Sequence, residues 1–463
     1  MVSSLEAGFN QIIDKAQAVR KQVGTVRDRI VMDIYNQARE ITEKVVKTQN
    51  AKGDLDRKID NIVTSRIFGY PLMFALLSLV FWLTISGANV PSKMIADLLF
   101  GWEDRLIAFF QWVGAPAWLY GVLVLGLYRG LAWVVSVMLP PMAIFFPLFT
   151  FLEDLGYLPR VAFNLDKLFK KAGAHGKQIL TMCMGFGCNA AGIIACRIID
   201  SPRERLIAIL TNNFVPCNGR FPTLIAMAAV FMGTLVSGYN NFAASALVAG
   251  VVVLGVSVTL AVSWILSKTL LKGVPSTFTL ELPPYRIPKI GSLLIRSIMD
   301  RTLFVLMRAV VVAAPAGAVT WILANIQIGE FSIIGHLAGW FDGFGRLIGL
   351  DGYIVLAFLL GLPANEIVVP ILIMSYLSQG ALLELDSIDA LRQLLVSNGW
   401  TWLTALNMSL FSLFHFPCAT TLLTVRKETQ SAKWTVLAAL IPTGVGILVC
   451  FLVAQIAQTL GLV

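Results

Sequence analysis

Residues 185–224 read GFGCNAAGIIACRIIDSPRERLIAILTNNFVPCNGRFPTL. Two apolar runs meet in this stretch, and each is broken, at GFGCN (185–189) and at VPCNGRFP (215–222). Glycine and proline make a helix costly at both points. In lipid, bare backbone at such a break is tolerated only where it lines protein or a cavity. Basic residues flank the first run (178–196) on both sides, Lys177 before it and Arg197, Arg203 and Arg205 after it. Because basic flanks stay in the cytoplasm, a re-entrant hairpin is the expected solution.

The rest of the chain has the same character. Of 463 residues 57% are hydrophobic and 14% charged, and the mean hydropathy is +0.76, which excludes a soluble fold of this size. Apolar runs long enough to span about 30 Å of hydrocarbon recur. The first is IFGYPLMFALLSLVFWLTIS (67–86), followed by a mixed stretch with Asp97, Glu103, Asp104 and Arg105, expected to be interfacial on the outer side. The run 119–153 predicts a short surface piece and one kinked span, broken at Pro140 and Pro141. Further runs lie at 206–236, 242–271, 302–325, 353–376, 401–424 and 434–460. The fold class is therefore an all-α polytopic integral membrane protein containing broken or re-entrant helices.

Charge divides the chain into an arm and a membrane domain. Residues 1–66 hold 12 of the 36 Lys+Arg and 9 of the 27 Asp+Glu. Within the arm, Ile12, Ala16, Val19, Val23, Val26, Ile30, Ile34, Ala38, Ile41 and Val45 recur at helical spacing, an apolar stripe that must fold on its own surface or dock another chain. No cleavable signal peptide is visible, so the N-terminus is expected in the cytoplasm. The net charge of +9 lies in short clusters between apolar runs, where it marks topology and argues against nucleic-acid binding. The expected organisation is a cytoplasmic helical arm (1–66), a first membrane half (67–272), a cytoplasmic surface linker with an amphipathic helix (273–301) and a second membrane half (302–463). Arg129 is expected to snorkel.

The breaks repeat. GFGCN is followed by VPCNGRFPTL (215–224), and later GLPANE (361–366) is followed by HFPCATTLL (415–423). Paired interruptions in corresponding halves point to a central transport site, because broken helices aim dipoles and side chains at one cavity. Cys188, Cys217 and Cys418 stand at these breaks, and thiolate sulfur is a soft ligand suited to a transition metal. Glu366 is an acid inside an apolar run, a functional hypothesis by default. Asn189, Asn213 and Asn365 add neutral oxygen donors. Cys183, Cys196 and Cys450 sit at no break and read as packing residues. His415 is open to either a ligand or a core role. Arg220 is read as bracing the broken helix through its carbonyls or pairing with a carboxylate.

At these residues the chain resembles the membrane region of the FeoB family of prokaryotic ferrous iron transporters. The matching stretches are FLEDLGYLPRVAFNLDKLFKK (151–171), GFGCNAAGIIACR (185–197), SPRERL (201–206), FVPCNGRFPTL (214–224), ELPPYR (281–286), ANEIVV (364–369) and FPCATTLLTVRKET (416–429). The resemblance implies Fe(II) uptake across the bacterial cytoplasmic membrane through two Gate-type halves, with Cys188, Cys217 and Cys418 along the pathway and Glu366 as companion acid. Fe(II) is then cargo, with no permanently bound cofactor. It further implies a regulating GTPase and a small FeoA-type partner, while a homo-oligomer stays open, since close-packing Gly and Ala positions are abundant and mark no single face. No GxxxxGK[ST] loop occurs in these residues, and the nearest string, AGAHGKQI (172–179), lacks the upstream glycine and the hydroxyl that holds magnesium. The chain is therefore not expected to be an enzyme, and its GTPase is expected in trans or removed.

Two competing readings exist. An organic-solute carrier of Gate-type architecture, such as a nucleoside transporter, requires a pocket richer in aromatic and amide groups than in thiols. A membrane scaffold that docks a soluble partner predicts that deleting residues 1–60 abolishes all activity while the cysteines are dispensable.

Overall fold

The structure, a computed structural model, describes residues 26–45, 51–65, 67–232, 240–273, 284–286, 288–329, 331–377, 380, 382 and 388–461. Among these residues, six helices are long and apolar enough to cross a membrane, or seven if one bent pair counts as a span.

The arm forms α1 (Val26–Val45) and α2 (Ala51–Val63). Ile12, Ala16, Val19 and Val23 of the predicted stripe lie outside the described residues. Ile30, Ile34, Ile41 and Val45 are all exposed, so the described part of α1 does not fold onto its own surface. α2 is tied down instead. Arg160, fully buried, donates to Asp60 at 2.9 Å and stacks its guanidinium 4.1 Å from the Tyr285 ring.

Helix α3 (Gly69–Trp112) runs unbroken for 44 residues through Pro91, about 66 Å at the helical rise. The stretch expected to lie in the outer interface continues this same helix. Its Glu103 is buried and pairs with Arg129 at 2.6 Å, and Arg129 also reaches the Leu382 carbonyl at 3.2 Å. Arg129 therefore does not snorkel; the nearby carboxylate holds it.

Helix α4 (Ala117–Leu155) spans 39 residues without the break expected at Pro140 and Pro141. In lipid, an abandoned helix leaves backbone groups with no water to satisfy them, so local proline strain is the smaller cost. A π-helical turn at 121–128 adjusts its register. Gly156, at φ +88°, turns the chain into α5 (Tyr157–Lys171), an amphipathic helix ending in Lys170 and Lys171.

The first broken unit follows. α6 (Gln178–Gly187) and α7 (Asn189–Ala195) fold back on one another, so that a Cβ on Gly192 would stand 2.8 Å from the Thr181 carbonyl oxygen. This is the expected hairpin. α8 (Pro202–Thr211), N-capped by Ser201, and α9 (Phe221–Met232) are separated by an irregular segment with two 3₁₀ turns. α10 (Asn240–Lys268) closes the first half.

The predicted surface helix before residue 302 is not separate. Ile290–Asn325 forms one continuous helix, α11, with a π-helical turn at 297–303. A two-stranded hairpin, β1 (Gln327–Ile328) and β2 (Phe331–Ser332), pairs Gln327 with Ser332 and leads into α12 (Ile333–Leu347). α12 bends by 110° into α13 (Gly352–Leu360). After a break come α14 (Val368–Tyr376), α15 (Ile388–Ser397), α16 (Trp402–Phe414), a second break, α17 (Ala419–Thr429) and α18 (Ala432–Thr459).

The repeat seen in the sequence is visible in the backbone. Cys188 (φ −155°, ψ 125°) and Ala364 (φ −152°, ψ 124°) adopt the same extended conformation, each followed by an asparagine. Cys217 (φ −82°, ψ 168°) and Cys418 (φ −59°, ψ 157°) form the second matching pair.

Candidate functional site

Both pairs of breaks converge on one narrow cavity of about 30 Å³. Cys188, Cys217 and Cys418 all line it, with Glu366, Asn189 and Asn365. The space suffices for about one water-sized occupant. Among the described residues, no three His, Cys, Asp or Glu side chains close round a single point as a metal cage would. The sulfurs share a void without converging in it.

Each donor arrives from a helix break. Cys188 caps α7, and Asn189 behind it lies 3.2 Å from Asn213. Asn213 does not line the cavity. Its oxygen accepts from Arg220 at 3.1 Å, and its amide nitrogen donates across the two halves to the His415 carbonyl at 2.8 Å. It is part of the frame behind the donors. Asn365 approaches Cys217 Sγ at 4.0 Å, and Cys418 Sγ lies 3.2 Å from the Thr421 hydroxyl. Glu366 is 8% exposed and sits directly over Gly219, whose missing side chain makes room for the carboxylate. No described Lys, Arg or His forms an ion pair with it.

Arg220, fully buried next to Gly219 in the second break, is otherwise engaged. Its guanidinium donates to the carbonyls of Asn213 (2.8 Å), Leu413 (2.7 Å) and His415 (3.1 Å), which belong to the breaks of both halves. It supplies the donors that the interrupted helices lost. Of the two roles open to Arg220, bracing carbonyls is the one present.

His415 is buried with Nδ1 at 2.9 Å from the Ser412 carbonyl and 3.1 Å from that of Phe411. Both ring nitrogens face acceptors, Nδ1 the two carbonyls and Nε2 the Asn365 side-chain oxygen at 3.2 Å. His415 is thus behind Asn365 and not on the cavity wall. Cys183, Cys196 and Cys450 lie elsewhere. Cys196 donates to Gly192 and Cys450 to Asn407, while Cys183 faces a separate apolar groove.

The cavity also holds side chains that sequence reasoning passed over. Met138 and Met142, one helical turn apart on α4, bring two thioethers to the wall, and Thr420 and Thr421 bring hydroxyls. The only sequence signal for the methionines is their spacing of four beside Pro140 and Pro141. In an apolar helix that pattern ordinarily means packing.

Comparison with known proteins adds independent findings. Residues 135–231 and 306–432 match the Gate family, described as nucleoside recognition, and residues 248–300 match the ferrous iron transport protein B C terminus. Each Gate block contains both breaks of its half. The chain is 29% identical over 473 residues to the Fe(2+) transporter FeoB of Staphylococcus aureus (strain MSSA476), covering 99% of this chain and 67% of that protein. It is 28% identical over 432 residues to the Fe(2+) transporter FeoB of Methanocaldococcus jannaschii, covering 90% and 61%. A Porphyromonas gingivalis Fe(2+) transport protein A/Fe(2+) transporter FeoB fusion protein is 26% identical over 452 residues, covering 87% and 51%. No solved structure matches the chain.

Proposed function

The chain belongs to the FeoB ferrous iron transporter family, of which it carries the membrane region, and we propose that it moves Fe(II) inward across the cytoplasmic membrane through the cavity between its Gate-type halves. The observation that carries this reading is a carboxylate, Glu366, with no ion-pair partner among the described residues, beside three thiols in one cavity at the paired breaks. A buried carboxylate left uncompensated is costly, and a cation passing beside it removes that cost.

The donor set indicates which cation. Thiol and thioether sulfur favour soft and borderline metals over Mg²⁺, which needs oxygen ligands and sheds water reluctantly. An ion entering about 30 Å³ must leave most of its hydration shell behind, and Asn189, Thr420 and Thr421 supply oxygen in exchange. Donors that share a void without forming a cage bind weakly enough to release, as conduction requires. An organic solute fits poorly here, because sites for such molecules run to roughly 300–1,000 Å³.

Regulation belongs to partners. No phosphate-binding GxxxxGK[ST] loop lies within these residues, so a GTPase acts from outside them. The fusion of transport protein A with FeoB in one relative supports a small FeoA-type partner.

Ferrous uptake into proteoliposomes containing the full chain tests the reading. Cys217→Ser and Cys418→Ser are each expected to slow uptake roughly tenfold, the scale of metal-site substitutions. Unchanged uptake in both variants removes the cysteines from the pathway.

A further inference from the structure

An apolar recess lies away from the cavity at the helix breaks. It is a groove of about 300 Å³ between α3, α5 and α10, lined by residues such as Phe74, Val161, Leu165, Leu168, Val253 and Val256. We propose that this groove binds an anionic phospholipid of the cytoplasmic leaflet, acyl chain in the groove and headgroup against a ring of lysines.

The groove is built on fixed contacts. The Tyr70 hydroxyl donates to the Asn164 carbonyl at 3.1 Å, joining the first turn of α3 to α5. At the far side Gly173, just past α5, abuts Ser267 near the end of α10. That contact brings Lys171 and Lys268, each within two residues of it, to the same end of the recess. Lys167 and Lys272 belong to the same two chain ends, and all four lysines are exposed. Acids that could neutralise this surface are already engaged, Asp166 with Lys170 at 2.8 Å and Asp200 with Lys177 at 3.1 Å.

The chemistry follows from the two halves of the site. An apolar recess facing hydrocarbon holds no water and is filled by whatever chain lies beside it. An acyl chain alone would show no headgroup preference. Lysines at a membrane surface each favour an anionic headgroup by roughly fivefold, about 1 kcal/mol. The amphipathic helix α5 supplies both parts, its apolar face to the groove and its last turn to the lysine ring.

Native mass spectrometry of the full chain, incubated with equal amounts of phosphatidylglycerol and phosphatidylcholine in detergent, tests the proposal. The unaltered chain is expected to retain phosphatidylglycerol at least about fivefold over phosphatidylcholine. Replacing all four lysines together (Lys167→Gln, Lys171→Gln, Lys268→Gln and Lys272→Gln) should bring the ratio close to one, and Val256→Trp, which fills the groove, should strip both lipids from a protein that still elutes as one species. Equal retention of the two lipids by the unaltered chain overturns the proposal, as does a Val256→Trp variant that keeps its phosphatidylglycerol. A chain that purifies as a dimer and is split by Val256→Trp overturns it too, since the groove then belongs to a second copy.

Discussion

At Glu366 the fold holds a carboxylate 8% exposed among helix ends, over Gly219. If its role is to attract the ion, its charge matters more to transport than to stability. Glu366→Gln keeps the volume and removes the charge. Ferrous uptake is expected to fall roughly tenfold, about 1.4 kcal/mol, while the thermal midpoint holds or rises because an uncompensated buried charge is gone. A midpoint that drops along with uptake points to a structural carboxylate instead. Gly219→Ala supplies the complementary test, since the added Cβ would collide with the carboxylate itself. Uptake should fall although the acid is retained. Residues of this kind were legible in the sequence because each violates its surroundings: an acid in an apolar run, a cysteine beside a proline. Met138 and Met142 violate nothing and stayed hidden, and Asn213 was legible as a polar residue but not as one that faces the frame.

Between elements, α4 and α11, the helices in which the two Gate blocks begin, approach one another closely. Gly126 and Gly130 of α4, four residues apart, face Gly317 of α11, and a Cβ on Gly317 would meet the Gly126 carbonyl. Small residues at this spacing let helix backbones touch in lipid, where packing drives association. Both sides of the clash are backbone, so neither gives way cheaply. Gly317→Ala is expected to cost about 1–3 kcal/mol, as overpacking does, and to lower the unfolding midpoint in detergent. Gly339→Ala, with open space around its Cβ, should leave the midpoint unchanged apart from a small helix-propensity gain. Equal midpoints for the two variants would show that α4 and α11 do not rely on this contact. Element boundaries were the least legible feature. Pro140 and Pro141 read as a break because proline costs about 3 kcal/mol in a helix in water, yet α4 continues through them. The reading failed where it applied an aqueous rule to a helix in lipid. At GFGCN the break was legible because the backbone it frees lines a cavity, the one circumstance in which lipid permits it.

On the scale of the whole molecule, the described part of the arm meets the membrane domain through α2. α1 leaves Ile30, Ile34 and Ile41 exposed, whereas α2 is held by Asp60 to Arg160 at 2.9 Å and by its Val63 carbonyl to the Asn164 amide at 2.9 Å. Arg160 in turn donates to the Gly156 carbonyl at 2.8 Å and faces Tyr285, so one guanidinium joins the arm, the α4–α5 turn and the linker between the halves. Burial, reinforced by the Asp60 carboxylate, pushes the Tyr285 hydroxyl up to about 12. The ring therefore stays neutral against Arg160 throughout the physiological range. Removing residues 1–45 spares all of these contacts and is expected to leave proteoliposome uptake within about twofold, since the cavity is untouched. Asp60→Asn strikes the joint itself. Stranding a buried guanidinium costs 3–5 kcal/mol when the pair is fully enclosed, and with Asp60 26% exposed the expected loss is about 2 kcal/mol. The unfolding midpoint should drop accordingly, and Asp60→Glu should recover part of it. If the shortened chain instead loses all uptake while Cys217→Ser keeps it, the arm is the working part and the membrane domain is its scaffold.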